Sequence, residues 1–149
     1  MGIIKLFFLL PSKGKFLQGF AYNEQLKAQA EQVWRQLDGY SLILLILTAI
    51  FGIGIAIYYY TGYNEKPGRH YKIKHWGLWA GIAFVVSFIV TLVIEYLCIK
   101  TNIKSGRASL YWLCALNNAI YCLLLYIVTS ILWCNFGRTN AYKFLKFKL

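Results

Sequence analysis

Charge is scarce in this sequence. Asp, Glu, Lys and Arg make up 14% of its 149 residues, where a soluble domain carries roughly a quarter. Carboxylates are scarcer still: five Asp and Glu stand against sixteen Lys and Arg, for a formal charge of +11. No two carboxylates are placed to share an aqueous pocket, so paired acid–base chemistry is not expected. Histidine occurs twice, at His70 and His75, without an H-x-x-x-H or a cysteine partner that would complete a metal site. The four cysteines, Cys98, Cys114, Cys122 and Cys134, form no C-x-x-C pair. They lie in or at the ends of apolar runs, so they read as small packing residues, not as a disulfide or metal framework. No serine has a helpful histidine, and Gly52 and Gly54 sit inside an apolar run instead of a phosphate-binding loop. The sequence therefore predicts no enzyme, no cofactor and no metal.

What is abundant is apolar. Hydrophobic residues reach 59% and aromatic ones 18%. A chain this short leaves much of its surface exposed when it folds in water, so the excess calls for lipid. The basic residues fall in four clusters, each flanking an apolar run. They do not form the continuous basic, aromatic-interleaved surface that holds a nucleic-acid strand, so nucleic acid is not an expected partner.

Along the chain, residues 1–40 form an N-terminal region. It opens on an apolar run, Ile3 to Leu10, that ends at Pro11. Eight helical residues reach about 12 Å, too short for a hydrocarbon layer of about 30 Å. A poor cleavage site argues against a signal peptide, and Leu6 where Ser or Thr is needed argues against myristoylation. A foot in the headgroup layer is expected instead. Residues 22–38 read as an amphipathic helix with Leu26, Ala30, Val33 and Leu37 on one stripe and Trp34 beside it. Asn23 is the expected cap and Gly39 the expected stop. The stripe would lie on a bilayer or against another subunit.

Three apolar runs follow, at about 41–60, 76–99 and 110–134, separated by the loops that contain Pro67-Gly68 and Gly106. Each is long enough to cross a bilayer. Backbone groups in hydrocarbon must be satisfied within the segment, so the runs are expected to be helices. Tyr58, Tyr59 and Tyr60 would anchor the first span at an interface. Residues 135–149 form a basic-aromatic tail. The predicted fold is thus an all-α integral membrane protein, with three transmembrane helices preceded by an interfacial amphipathic helix. A bacterial inner membrane or its equivalent is the expected location. The basic residues divide eight and eight between the two sides, so the positive-inside rule assigns no orientation.

Two stripes stand out inside the spans. Ala80, Ala83, Ser87, Thr91 and Glu95 recur at helical spacing on the second, with Gly77 and Gly81 as a G-x-x-x-G on a neighbouring face. Ala115, Asn118, Cys122, Tyr126 and Thr129 answer on the third. Small and polar residues let helices approach and bond across, so these stripes are the expected helix–helix interface of an antiparallel hairpin. Ala49, Gly52 and Ala56 supply a small-residue face on the first span. Glu95 is expected to be shielded from lipid and hydrogen-bonded to Tyr111, Cys114 or Asn118, and its replacement by Leu is expected to weaken assembly. A buried membrane carboxylate is also where an ion or proton site would be sought. Lys66, Arg69, Lys72, Lys74, Lys100, Lys104, Arg107, Arg138, Lys143, Lys146 and Lys148 are the expected contacts to headgroups, anionic ones above all. The function predicted is a non-catalytic membrane subunit or anchor in a larger assembly, with other protein subunits or further copies of itself as partners. The alternative is a self-associating, holin-like or effector-like pore-former, whose polar stripes would line the pore.

Overall fold

The computed structural model describes residues 3–64, 72–99, 107–138, 143, 145 and 146. Among them every regular element is helical. A 3-10 turn at Ile3–Leu6 leads to α1 (Lys13–Gln18), whose start is capped by the Ser12 hydroxyl accepting from Lys15 N–H. Then come α2 (Glu24–Tyr58), α3 (Ile73–Cys98) and α4 (Arg107–Phe136). The last three are long and apolar enough to cross a membrane.

Helix α2 begins where the sequence places it. Asn23 Oδ1 accepts from the N–H groups of Gln25 and Leu26 at 2.9 and 3.3 Å, which satisfies donors that a helix start leaves open. It does not stop at Gly39. A glycine ends a helix when the backbone turns left-handed there; Gly39 instead continues the ladder, at a propensity cost of about 1 kcal/mol. The reason lies in the neighbours. Ala30, Val33, Leu37, Ser41 and Leu44 are all buried, at steps of 3, 4, 4 and 3, so the same face is needed on both sides of Gly39. The amphipathic helix and the first span are therefore one rod, which extends through a wider π-type turn at Tyr59–Tyr63. Its 40 residues measure about 60 Å, twice the hydrocarbon thickness. Its charged residues, Glu24 to Asp38, fall in the N-terminal part.

The chain forms two compact units, and each of the three long helices contributes to both. The first unit comprises Met1–Ile46 and Phe88–Asn118. Its core joins Ile4, Phe7 and Phe20 from the N-terminal segment to Ala30, Val33, Trp34 and Leu37 of α2 and to Leu110, Tyr111 and Cys114 of α4. The stripe expected on a bilayer or another subunit is thus covered by this chain's own N-terminal segment. Tethers run the same way: Ile4 N–H donates to Asp38 Oδ1 at 3.3 Å, and Leu9 N–H to Asn117 Oδ1 at 3.4 Å. At the surface, Lys13 and Glu31 form an ion pair at 2.6 Å, and the hydrogen bond with the lysine ammonium holds the Glu31 carboxyl below its ordinary range. Such exposed pairs contribute little to stability.

The second unit comprises Leu47–Ser87 and Ala119–Leu149. Two clusters build it: Ala56, Ala80, Ala83, Cys122 and Tyr126, and Tyr59, Tyr60 and Cys134. Here the tyrosine triplet departs from expectation. Tyr58 is half exposed, but Tyr59 and Tyr60 are 2% and 1% exposed and pack edge-to-face with ring centroids 4.9 Å apart. Tyr60 also bonds the Cys134 thiol at 3.4 Å. Three adjacent residues on a helix cannot share one face, so two of the three rings point into the protein.

Candidate functional site

Most polar residues in the apolar stretches of the long helices are turned inward. Ser41, Thr48, Ser87, Thr91, Glu95, Asn117, Asn118 and Ser130 are all buried, while Ile46, Ile50 and Ile53 of α2, Val85, Ile89 and Val93 of α3, and Leu124, Val128 and Leu132 of α4 are exposed. Helical periodicity produces this division, because residues three and four apart share a face.

In the first unit α3 and α4 run antiparallel, with Tyr96 edge-to-face on Tyr111 and Asn118 Nδ2 donating to Thr91 Oγ1 at 3.3 Å. One turn along, Glu95 meets the Cys114 thiol. Glu95 is 1% exposed, so it is shielded as expected. The expected conventional hydrogen bond is absent: among the described residues neither carboxylate oxygen has a partner that satisfies hydrogen-bond geometry. A thiol is a weak donor, and Asn118, the stronger one, directs Nδ2 to Thr91. Asn117 turns to the N-terminal segment instead.

In the second unit the same two helices are pinned by different groups. Cys122 Sγ donates to Ala83 O at 3.4 Å, Trp76 Nε1 to Ser130 Oγ at 3.0 Å, and Tyr126 O–H to Trp76 O at 3.3 Å. Ala80, Ser87 and, in the first unit, Ala115 are buried in these seams. Thr129 is half-buried, and Ser130 makes the contact in its place, four residues on from Tyr126. Ser130 and Trp76 were not singled out by spacing; their signal is the pairing of an indole N–H with a hydroxyl, which a single-helix pattern does not reveal. Ala56 is buried, and Gly52 lies close against Cys122 and Leu125 of α4.

Gly77 and Gly81 do not join the seam. Both are exposed, and a Cβ at either would meet nothing within 4 Å. At about 100° per residue they lie roughly 60–100° around α3 from Ala80, which turns them away from α4.

Of the expected headgroup contacts, Lys72, Lys74, Arg138 and Lys146 are exposed. Lys143 is used differently: its ammonium donates to Gly137 O at 2.8 Å and so caps a carbonyl just past the end of α4. Lys66, Arg69, Lys100, Lys104 and Lys148 lie outside the described residues, as do His70 and the side chain of Arg107. His75 sits at the start of α3, where Nδ1 accepts from Lys72 N–H at 3.5 Å. Among the described residues no three of His, Cys, Asp and Glu converge as a metal site would require, and all four cysteines are free thiols.

This geometry changes what a Glu95 variant should do. Because no conventional hydrogen bond would be lost, Glu95→Met should leave the thermal midpoint of the detergent-solubilised chain unchanged or raise it, since an apolar side chain of similar volume removes the cost of burying an unpaired polar group. Size-exclusion chromatography after a heating series measures this. A clear fall in the midpoint would mean that the carboxylate holds a contact after all. No family model, curated protein or solved structure matches the chain.

Proposed function

We propose that this chain is a non-catalytic, multi-pass membrane subunit or anchor, in which the uncharged part of α2, together with α3 and α4, crosses the bilayer. One observation carries the reading: the intramembrane polar residues face inward, against the chain's own helices, and the outward faces are aliphatic. A pore built by self-association needs polar stripes free to line a shared lumen, and here they are buried within each unit. A helix–helix contact between proteins in lipid uses small residues that let backbones approach. The outward Gly77-x-x-x-Gly81 supplies such a surface without serving the chain's own packing.

Two measurements test this. Reconstituted into vesicles with a trapped dye, the purified chain should release none beyond protein-free vesicles; leakage that rises with protein density would favour the pore. In cells, Gly77→Ile combined with Gly81→Ile should leave the chain folded and membrane-bound, yet reduce recovery of whatever crosslinks to it in the wild type. Unchanged crosslinking would remove the glycines from the interface.

A further inference from the structure

The N-terminal segment folds back on α2 around a cavity of about 480 Å³ whose walls include Phe7, Phe8, Trp34, Lys5, Lys13 and Asp38. The volume falls in the range of roughly 300–1,000 Å³ typical of small-ligand pockets. Its lining is of two kinds. Three aromatic rings provide an apolar wall, and two ammonium groups and a carboxylate provide an ionic one. That combination suits an amphiphile.

Three facts narrow the headgroup. Lys13 is already opposed by Glu31 at 2.6 Å, so its charge is partly spent, whereas Lys5, the other cation in the lining, forms no ion pair among the described residues. Asp38 also lines the cavity, and its Oδ1 accepts from Ile4 N–H. A purely anionic headgroup would meet this carboxylate as a like charge, whereas a zwitterion meets it with its ammonium. Position adds the third fact. Asp38 is the last charge on α2 before an uncharged stretch that runs to Asn64, so if that stretch crosses the bilayer the cavity lies at headgroup depth.

We infer that this cavity seats a zwitterionic phospholipid, with its phosphate at Lys5, its ammonium at Asp38 and its glycerol and first methylenes against Phe7, Phe8 and Trp34. The inference rests on the membrane reading above and departs from the anionic preference that net charge alone suggests. The lipid would act as a structural filler that fixes the N-terminal segment to α2.

Native mass spectrometry of the full chain, released from nanodiscs of equal parts phosphatidylethanolamine, phosphatidylcholine and phosphatidylglycerol, tests it. The wild type should retain the two zwitterionic lipids over phosphatidylglycerol by about fivefold, the size of one solvent-exposed charge contact. Asp38→Asn keeps an acceptor for Ile4 N–H and should abolish that preference while the chain stays monodisperse. Lys5→Gln should lower retention of all three lipids, because the phosphate is common to them. Equal retention in the wild type, a preference for phosphatidylglycerol, or selectivity that survives Asp38→Asn would overturn the proposal. So would displacement by soluble glycerophosphocholine, which lacks acyl chains. Extraction with alkaline carbonate separates the two readings. A chain that washes off the membrane sinks the membrane reading itself; one that stays and shows no lipid preference sinks the cavity alone.

Discussion

Gly52→Ala should destabilise the helical core by about 1–3 kcal/mol, the usual cost of forcing extra volume into a packed site, and Gly52→Val by more. A Cβ at this position would stand 2.7 Å from the carbonyl oxygen of Cys122 and 2.9 Å from Leu125 Cβ. Neither neighbour is the tip of a flexible side chain that could rotate away, so α2 and α4 would have to move apart locally. The Cys122 peptide is also part of the α4 ladder, which resists displacement. Gly54 is the internal control. It lies two residues on, around the helix from the contact, and a Cβ there meets nothing within 4 Å. Gly54→Ala should therefore be neutral or stabilising by about 0.5–1 kcal/mol, through reduced backbone freedom in the unfolded chain. Thermal midpoints of the two variants, read by size-exclusion chromatography after heating, should move in opposite directions or at least differ clearly. A Gly52→Ala protein as stable as Gly54→Ala would show that the close approach does not exist.

The second large effect is expected at Tyr126. Its side chain is fully buried, its ring lies 5.5 Å from that of Trp76, and its hydroxyl donates to the Trp76 carbonyl. Tyr126→Ala should cost about 3–5 kcal/mol, since a large ring is removed from a site whose backbone cannot collapse to fill it. Tyr126→Phe keeps the ring and loses the hydroxyl, and should cost about 0.5–1.5 kcal/mol. The gap between the two separates packing from hydrogen bonding. Unfolding measured by tryptophan fluorescence is apt because Trp76 is the ring's neighbour. Equal losses for the two variants would mean that the hydroxyl, not the ring, dominates, against the packing described here.

Much of the architecture could be read before any coordinates. The three long helices were legible because apolar runs of twenty residues or more, with at most one charge, have few alternatives: a lone strand of that length would leave its backbone unpaired in an apolar medium. The cap at Asn23 was legible because capping is a local event between residues two or three apart. The inward stripe Ala83, Ser87, Thr91 and Glu95 was legible because helical spacing alone fixes which residues share a face. What each stripe touches was less so. Glu95 was expected to bond Tyr111, Cys114 or Asn118; it lies beside Cys114, while the Asn118 amide turns to Thr91, and that choice depends on the register of two helices that their separate sequences do not encode.

The errors have the same origin. Gly39 carries the local signature of a helix end, yet the buried face it interrupts continues on both sides, and tertiary burial outweighed a propensity cost of about 1 kcal/mol. Tyr59 and Tyr60 look like interface anchors by composition, and the G-x-x-x-G at Gly77 and Gly81 looks like an intramolecular seam by motif. In each case the motif names a residue type suited to a contact and leaves its direction around the helix open.

The sequence by itself determined the element type and the presence of three helices long and apolar enough to cross a membrane, because these follow from sums over many residues: few charges, and long apolar runs. Only the tertiary structure decided which way single residues face, that the N-terminal segment covers the stripe on α2, and that a two-natured cavity forms between them. Those outcomes depend on which surfaces meet. Burial of a few side chains against distant partners is a property of pairs, and no one-dimensional pattern contains it.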